Sequence, residues 1–141
     1  MHSILLVDDD VDSLSALKFV FEVHDFKVFL AKNGGIALAH AATHRPDLVV
    51  TDMEMPELDG IELCKRLRHH PTLRDVPVIL VSGAVPPTDA PVLWDAFLPK
   101  PVDCYQLIAV IEQLPLFRLG GDERNPGERC SGDDVSAVER F

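Results

Sequence analysis

Short apolar runs alternate along this chain with longer stretches in which apolar residues recur every three or four positions. Residues 4–7, 28–31, 48–51, 78–82 and 96–98 are the short runs, rich in β-branched side chains in four of the five. Each is followed by turn-prone or acidic residues, a pattern that predicts five strands. The runs are unbroken, which suits strands covered on both faces, as in a buried parallel sheet. Between them, residues 12–23 place Leu14, Leu17 and Phe21 at helical spacing, and residues 36–44 form an Ala-rich helix behind Asn33-Gly34-Gly35. Residues 61–67 put Ile61, Cys64 and Leu67 on one face, with Glu62, Lys65 and Arg66 off it, and residues 102–114 stripe Leu107, Ile108, Ile111 and Leu114. This repeating order predicts an α/β domain with right-handed crossovers, a doubly wound parallel sheet whose carboxyl-end loops are the place for chemistry.

Past Pro115 the periodicity lapses. Residues 116–141 hold four Gly and scattered charges of both signs, which predicts a disordered tail, dispensable for folding beyond about residue 120 and too short for a DNA-binding domain. Residues 1–115 are the domain. Composition narrows the function classes further. With 47% hydrophobic and 26% charged residues the chain is globular in type, and its net charge of −10 repels a phosphate backbone, so a nucleic-acid binder is not expected. Cys64, Cys104 and Cys130 are odd in number and show no ligand spacing, the pattern of reduced thiols. There is no signal-like start and no apolar run near the ~20 residues of a membrane span. A cytoplasmic protein without membrane contact is expected. The six histidines read as surface or cap positions with no partner at metal-ligand spacing.

The predicted strand ends carry the candidate chemistry. The first ends in Asp8-Asp9-Asp10 and the third in Asp52. Capping of the following helix is the plain explanation for such acids, but three in a row exceed that need, and carboxylate oxygens are what a hydrated Mg²⁺ prefers. Met55-Pro56-Glu57-Leu58-Asp59-Gly60 after Asp52 is a turn that launches the next helix. The fourth strand ends in Ser82 and the fifth in Lys100. Singly these read as a turn residue and a solvated lysine. Jointly, acids, a hydroxyl and an ammonium at one edge suit an anionic phosphoryl group with a metal.

These residues in this order resemble the receiver domain of two-component response regulators, similar to the single-domain chemotaxis regulator. The carriers are residues 4–10, 46–52 (Pro-Asp-Leu-Val-Val-Thr-Asp), 55–60, 77–82 and Lys100-Pro101. The resemblance implies a five-stranded sheet in the flavodoxin-like order 2-1-3-4-5 with five helices. It implies that Asp52 is the phosphoacceptor and that Mg²⁺ is held by Asp8, Asp9, Asp52 and the backbone carbonyl of Glu54. Ser82 and Lys100 would bind phosphoryl oxygens, Ser82 and Phe97 would form the switch, and the Lys100-Pro101 bond is a candidate for the cis form. The implied donor is a histidine kinase or phosphotransfer protein, and the implied output is an altered protein-binding surface rather than enzyme turnover. Two departures stand out: Gly83 where Ala is commoner, and a shortened Ser82-to-Lys100 interval containing Pro86, Pro87 and Pro91. The prolines predict a shortened or irregular fourth helix and, with it, a protein that stays largely monomeric on phosphorylation. A phosphorylation-independent interaction module, and a Mg²⁺-dependent phosphohydrolase using Asp8 as nucleophile and Asp10 as acid/base, remain as alternatives.

Overall fold

In the computed structural model, residues 2–86 and 91–114 are described. The chain divides after Asp103 into two units. The first holds five strands and three helices: β1 (Ser3–Val7), α1 (Val11–Val23), β2 (Lys27–Ala31), α2 (Gly34–His44), β3 (Leu48–Asp52), α3 (Gly60–Arg68), β4 (Val78–Ser82) and β5 (Ala96–Pro99). The strands pair in parallel, as the apolar runs predict, and in the order β2-β1-β3-β4-β5 that the resemblance implies. The second unit contains α4 (Cys104–Gln113), with Leu107, Ile108 and Ile111 buried. No helix among the described residues is long and apolar enough to cross a membrane.

Burial follows position in the sheet. All of β3 and β4 is buried, and so are residues 4–7 of β1, whereas β2 and β5 at the edges are only partly covered. Since successive strand residues point to opposite faces, Leu5, Val7, Val49, Val78 and Leu80 meet Ala37 and Ala41 of α2 and Leu63, Cys64 and Leu67 of α3. Ile4, Leu6, Leu48, Val50 and Ile79, all buried, point the other way, toward the face on which α1 lays Leu14 and Phe21. Each helix of the first unit starts on a side-chain cap: Asp10, Asn33 and Asp59 accept a backbone N–H of the first turn.

Several details differ from the sequence reading. The buried face of α3 is Gly60, Leu63, Cys64 and Leu67, and Ile61 is only half-buried. With Asn33 as its cap, α2 begins at Gly34, two residues before the expected start at Ile36. Four helices, not five, are found among the described residues, and residues 83–86 and 91–95 between β4 and β5 carry none. Pro86 and Pro91 lack the N–H a helix requires there; Pro87 and the tail expected to be disordered lie outside the described residues. Leu93 and Trp94 instead pack against the core as partly buried side chains. His40 and His44, four apart on α2, do share one face, with ring centroids 5.5 Å apart and His44 stacked on Phe29 at 4.3 Å.

Candidate functional site

Strand register brings the candidate residues to one edge. Val7 pairs with Thr51, Asp52 with Val81 and Ser82 with Pro99, so β1, β3, β4 and β5 end side by side. The three consecutive acids after β1 divide their work. Asp8 is buried, and its Oδ1 accepts the Asp10 N–H at 2.9 Å. Asp10 turns away to cap α1, accepting from the Asp12 N–H at 3.0 Å and the Ser13 hydroxyl at 3.1 Å. Asp8 and Asp9 meet Asp52, with one carboxylate oxygen from each within 4.8 Å of the others.

Asp52 is buried at the end of β3. Its Oδ1 accepts the Glu54 N–H at 3.2 Å, while the Thr51 hydroxyl donates to its main-chain carbonyl at 2.9 Å. The following turn is held by the Gly60 N–H on the Met53 carbonyl at 2.8 Å and by the Leu58 N–H on the Pro56 carbonyl at 2.8 Å, with Glu57 at φ 68 between them. Met53, Glu54, Met55, Pro56, Asp59 and Ile61 line an open cavity of about 530 Å³ along this turn.

Lys100 enters from the end of β5. Its ammonium lies 3.2 Å from Asp52 Oδ2 and 3.6 Å from Asp8 Oδ2. Its N–H donates to the Ser82 carbonyl at 2.9 Å, and the Lys100-Pro101 bond is cis, as anticipated. Ser82 is fully buried, and its hydroxyl oxygen accepts the Ala84 N–H at 2.9 Å. Phe97, opposite Leu80 on β5, is half-buried against the core.

The electrostatics follow from this crowding. Burial pushes the Asp8 carboxyl above the usual carboxylate range, and the neighbouring Asp52 charge adds to it; the Asp10 N–H and Lys100 offset part of the shift. Burial alone would lower the Lys100 ammonium, but its hydrogen bonds and charge interactions with Asp52 and Asp8 outweigh that and hold it above its ordinary value. Two buried carboxylates and one exposed one, on hard oxygens, face a single ammonium. That donor set fits a small divalent cation such as Mg²⁺, which takes one or two carboxylates and keeps several waters.

Residues 4–112 match the response regulator receiver domain, and the chain belongs to that family, the receiver domains of two-component signalling. It is 34% identical over 139 residues to the response regulator PleD of Caulobacter vibrioides (strain NA1000 / CB15N), covering 96% of this chain and 30% of that protein. It is 39% identical over 126 residues to the response regulator MprA of Mycobacterium sp. (strain KMS), covering 85% of this chain and 53% of that protein. The match thus spans between 30% and 53% of the length of these relatives. Among solved structures, the signal receiver domain of a signal transduction histidine kinase from Syntrophus aciditrophicus superposes with a TM-score of 0.74 at 29% identity, covering 94% of this chain and 99% of that one.

The sequence offered capping to the three acids as a group, and the structure assigns it to Asp10. The close contact of Gly60 with the Asp52 backbone carries no local signal beyond an Asp-Gly turn.

Proposed function

We propose that this domain accepts a phosphoryl group on Asp52 from a histidine kinase or phosphotransfer protein and passes the signal on through a changed protein-binding surface. The observation that carries this reading is the Lys100 ammonium between the Asp52 and Asp8 carboxylates, 3.2 and 3.6 Å away. A carboxylate oxygen of Asp52 attacks phosphorus, a P–O bond forms, and the bond to the donor's leaving group breaks, yielding an acyl phosphate. Such transfer needs positioning and charge neutralisation more than covalent help. The Glu54 N–H orients Asp52, Lys100 neutralises one phosphoryl oxygen, and the Ser82 hydroxyl donates to another. Asp8, Asp9, Asp52 and the Glu54 carbonyl would hold Mg²⁺, which when bound offsets negative charge on the incoming group.

In this reading Ser82 and Phe97 form the switch: Ser82 is drawn to the phosphoryl oxygens and Phe97 follows inward. With no helix among the described residues between β4 and β5, the protein stays largely monomeric on phosphorylation. Residues 1–115 are the working domain, and a kinase-coupled role fits the cytoplasm. The phosphohydrolase alternative loses its acid/base to the capping of α1 by Asp10.

Incubation with acetyl phosphate and Mg²⁺, followed by peptide mapping, tests the proposal. Modification at Asp52 that is abolished in Asp52→Asn is the expected result. Modification at Asp8 would support the hydrolase reading, and no modification under any donor would support a phosphorylation-independent module.

A further inference from the structure

We propose that Arg68 is a positioning residue for Lys100 and Phe97, pinning the start of β5 where the described residues between β4 and β5 carry no helix. The inference rests on the role given to Lys100 above. Arg68 closes α3, and its side chain is 19% exposed. Its Nε donates to the Leu93 carbonyl at 2.9 Å, its Nη1 to the carbonyls of Val76 at 2.6 Å and Arg74 at 3.1 Å, and its Nη2 to Asp95 Oδ2 at 2.9 Å. The same Asp95 oxygen accepts the Val78 N–H at 2.8 Å, and the Asp95 N–H donates to the Val78 carbonyl at 2.8 Å. One side chain therefore ties together the end of α3, the loop into β4, the first residue of β4 and the last residues before β5. A planar fork with five fixed donors can serve acceptors in several directions at once, which a lysine ammonium on a flexible stem cannot match.

The need for such a tie follows from the crossover. In a doubly wound sheet a helix laid on the face ordinarily sets where the next strand begins, and residues 83–86 and 91–95 carry none. β5 is itself poorly anchored: it is four residues long, pairs only with β4 among the described residues, and contains Pro99, which cannot donate to the ladder. Its two ends are held by the Arg68–Asp95 tie and by the Lys100 N–H on the Ser82 carbonyl. Between them lie the pairings of Phe97 with Leu80 and Pro99 with Ser82. Lys100 is the next residue after the strand, so a displaced β5 carries its ammonium away from Asp52.

The test uses the full chain in four forms: wild type, Arg68→Met, Arg68→Lys and Phe21→Leu. Phe21→Leu lowers stability from α1, which has no part in the tie. Amide exchange at Asp95 and Lys100 is read relative to β1 and β3 in unlabelled protein, and labelling of Asp52 by acetyl phosphate is timed well below every melting transition. Both Arg68 variants should speed relative exchange at Asp95 and Lys100 and slow labelling by about tenfold, within the penalty of up to ~10²-fold that a misplacement near 1 Å can bring. Phe21→Leu should change neither. If Arg68→Met is too unstable to fold, Arg68→Lys, which keeps the stem and the charge but loses the fork, decides the question alone. Unchanged relative exchange or wild-type labelling in a folded Arg68 variant overturns the inference. Failure of the wild type itself to label on Asp52 would count against the proposed function, while the exchange ratios would still decide whether Arg68 pins β5.

Discussion

Gly60 leaves no room for a side chain beside the peptide joining Asp52 to Met53. A β-carbon there would overlap the Asp52 carbonyl oxygen and come within 2.9 Å of the Met53 α-carbon. The contacted atoms are backbone, at the end of the fully buried β3 and on the residue just after it, and cannot swing aside. Gly60→Ala should therefore cost about 1–3 kcal/mol, the usual range for overpacking. It should also slow labelling of Asp52, because relief of the overlap moves the strand end that carries it. Urea unfolding and acetyl phosphate labelling of the same variant check both parts.

Mg²⁺ should stabilise the metal-free protein, by about 2.7 kcal/mol at a hundredfold excess over its Kd. Asp8→Asn should remove that response yet raise the stability of the metal-free form near neutral pH. The reason is the upward push on the Asp8 carboxyl from burial: its charged form is disfavoured in the fold, and a neutral isostere escapes that cost while its Oδ1 can still accept the Asp10 N–H. Thermal melts of both proteins with and without Mg²⁺ show whether the two effects separate.

Asp10→Ala should behave differently from its neighbours. Loss of the cap on α1 should cost about 0.5–2 kcal/mol, with the Mg²⁺ response and the labelling of Asp52 unchanged. A variant that melted normally but no longer labelled would place Asp10 in the chemistry and revive the phosphohydrolase reading.

Thiol chemistry gives a check on the core. Burial pushes the Cys64 thiol up to about 11, and Cys64 is wholly covered whereas Cys104 is half-buried. Iodoacetamide at pH 8 should modify Cys104 and spare Cys64 until the protein is unfolded. The sign for stability is set by proton binding. Between about pH 9, the thiol's ordinary value, and about pH 11 the unfolded chain loses this proton first, so stability should fall as pH rises through that window. Chemical denaturation across the window should show a shallower fall in Cys64→Ala.

The five strands and their common edge were legible from the amino-acid sequence because β1, β3 and β4, buried on both faces, and even the partly covered β2 and β5 are written as short apolar runs. The residue that closes each run then falls at the carboxyl edge whatever the loops do. Asp8, Asp52, Ser82 and Lys100 were found that way, and the prolines at 86 and 91 signalled that the described residues around them carry no helix, because a missing N–H is a local property. Other decisions belong to tertiary structure. The three acids of residues 8–10 are chemically alike, and only the direction of α1 turned Asp10 into a cap and left Asp8 and Asp9 facing Asp52. Likewise, α3 buries Leu63 more fully than Ile61 because the sheet lies on that side of the helix. Arg68 draws on the carbonyls of Leu93, Arg74 and Val76, up to 25 positions away. A main-chain carbonyl is the same group in every residue, so no pattern of side chains could have announced that partnership before the chain had folded to bring them together.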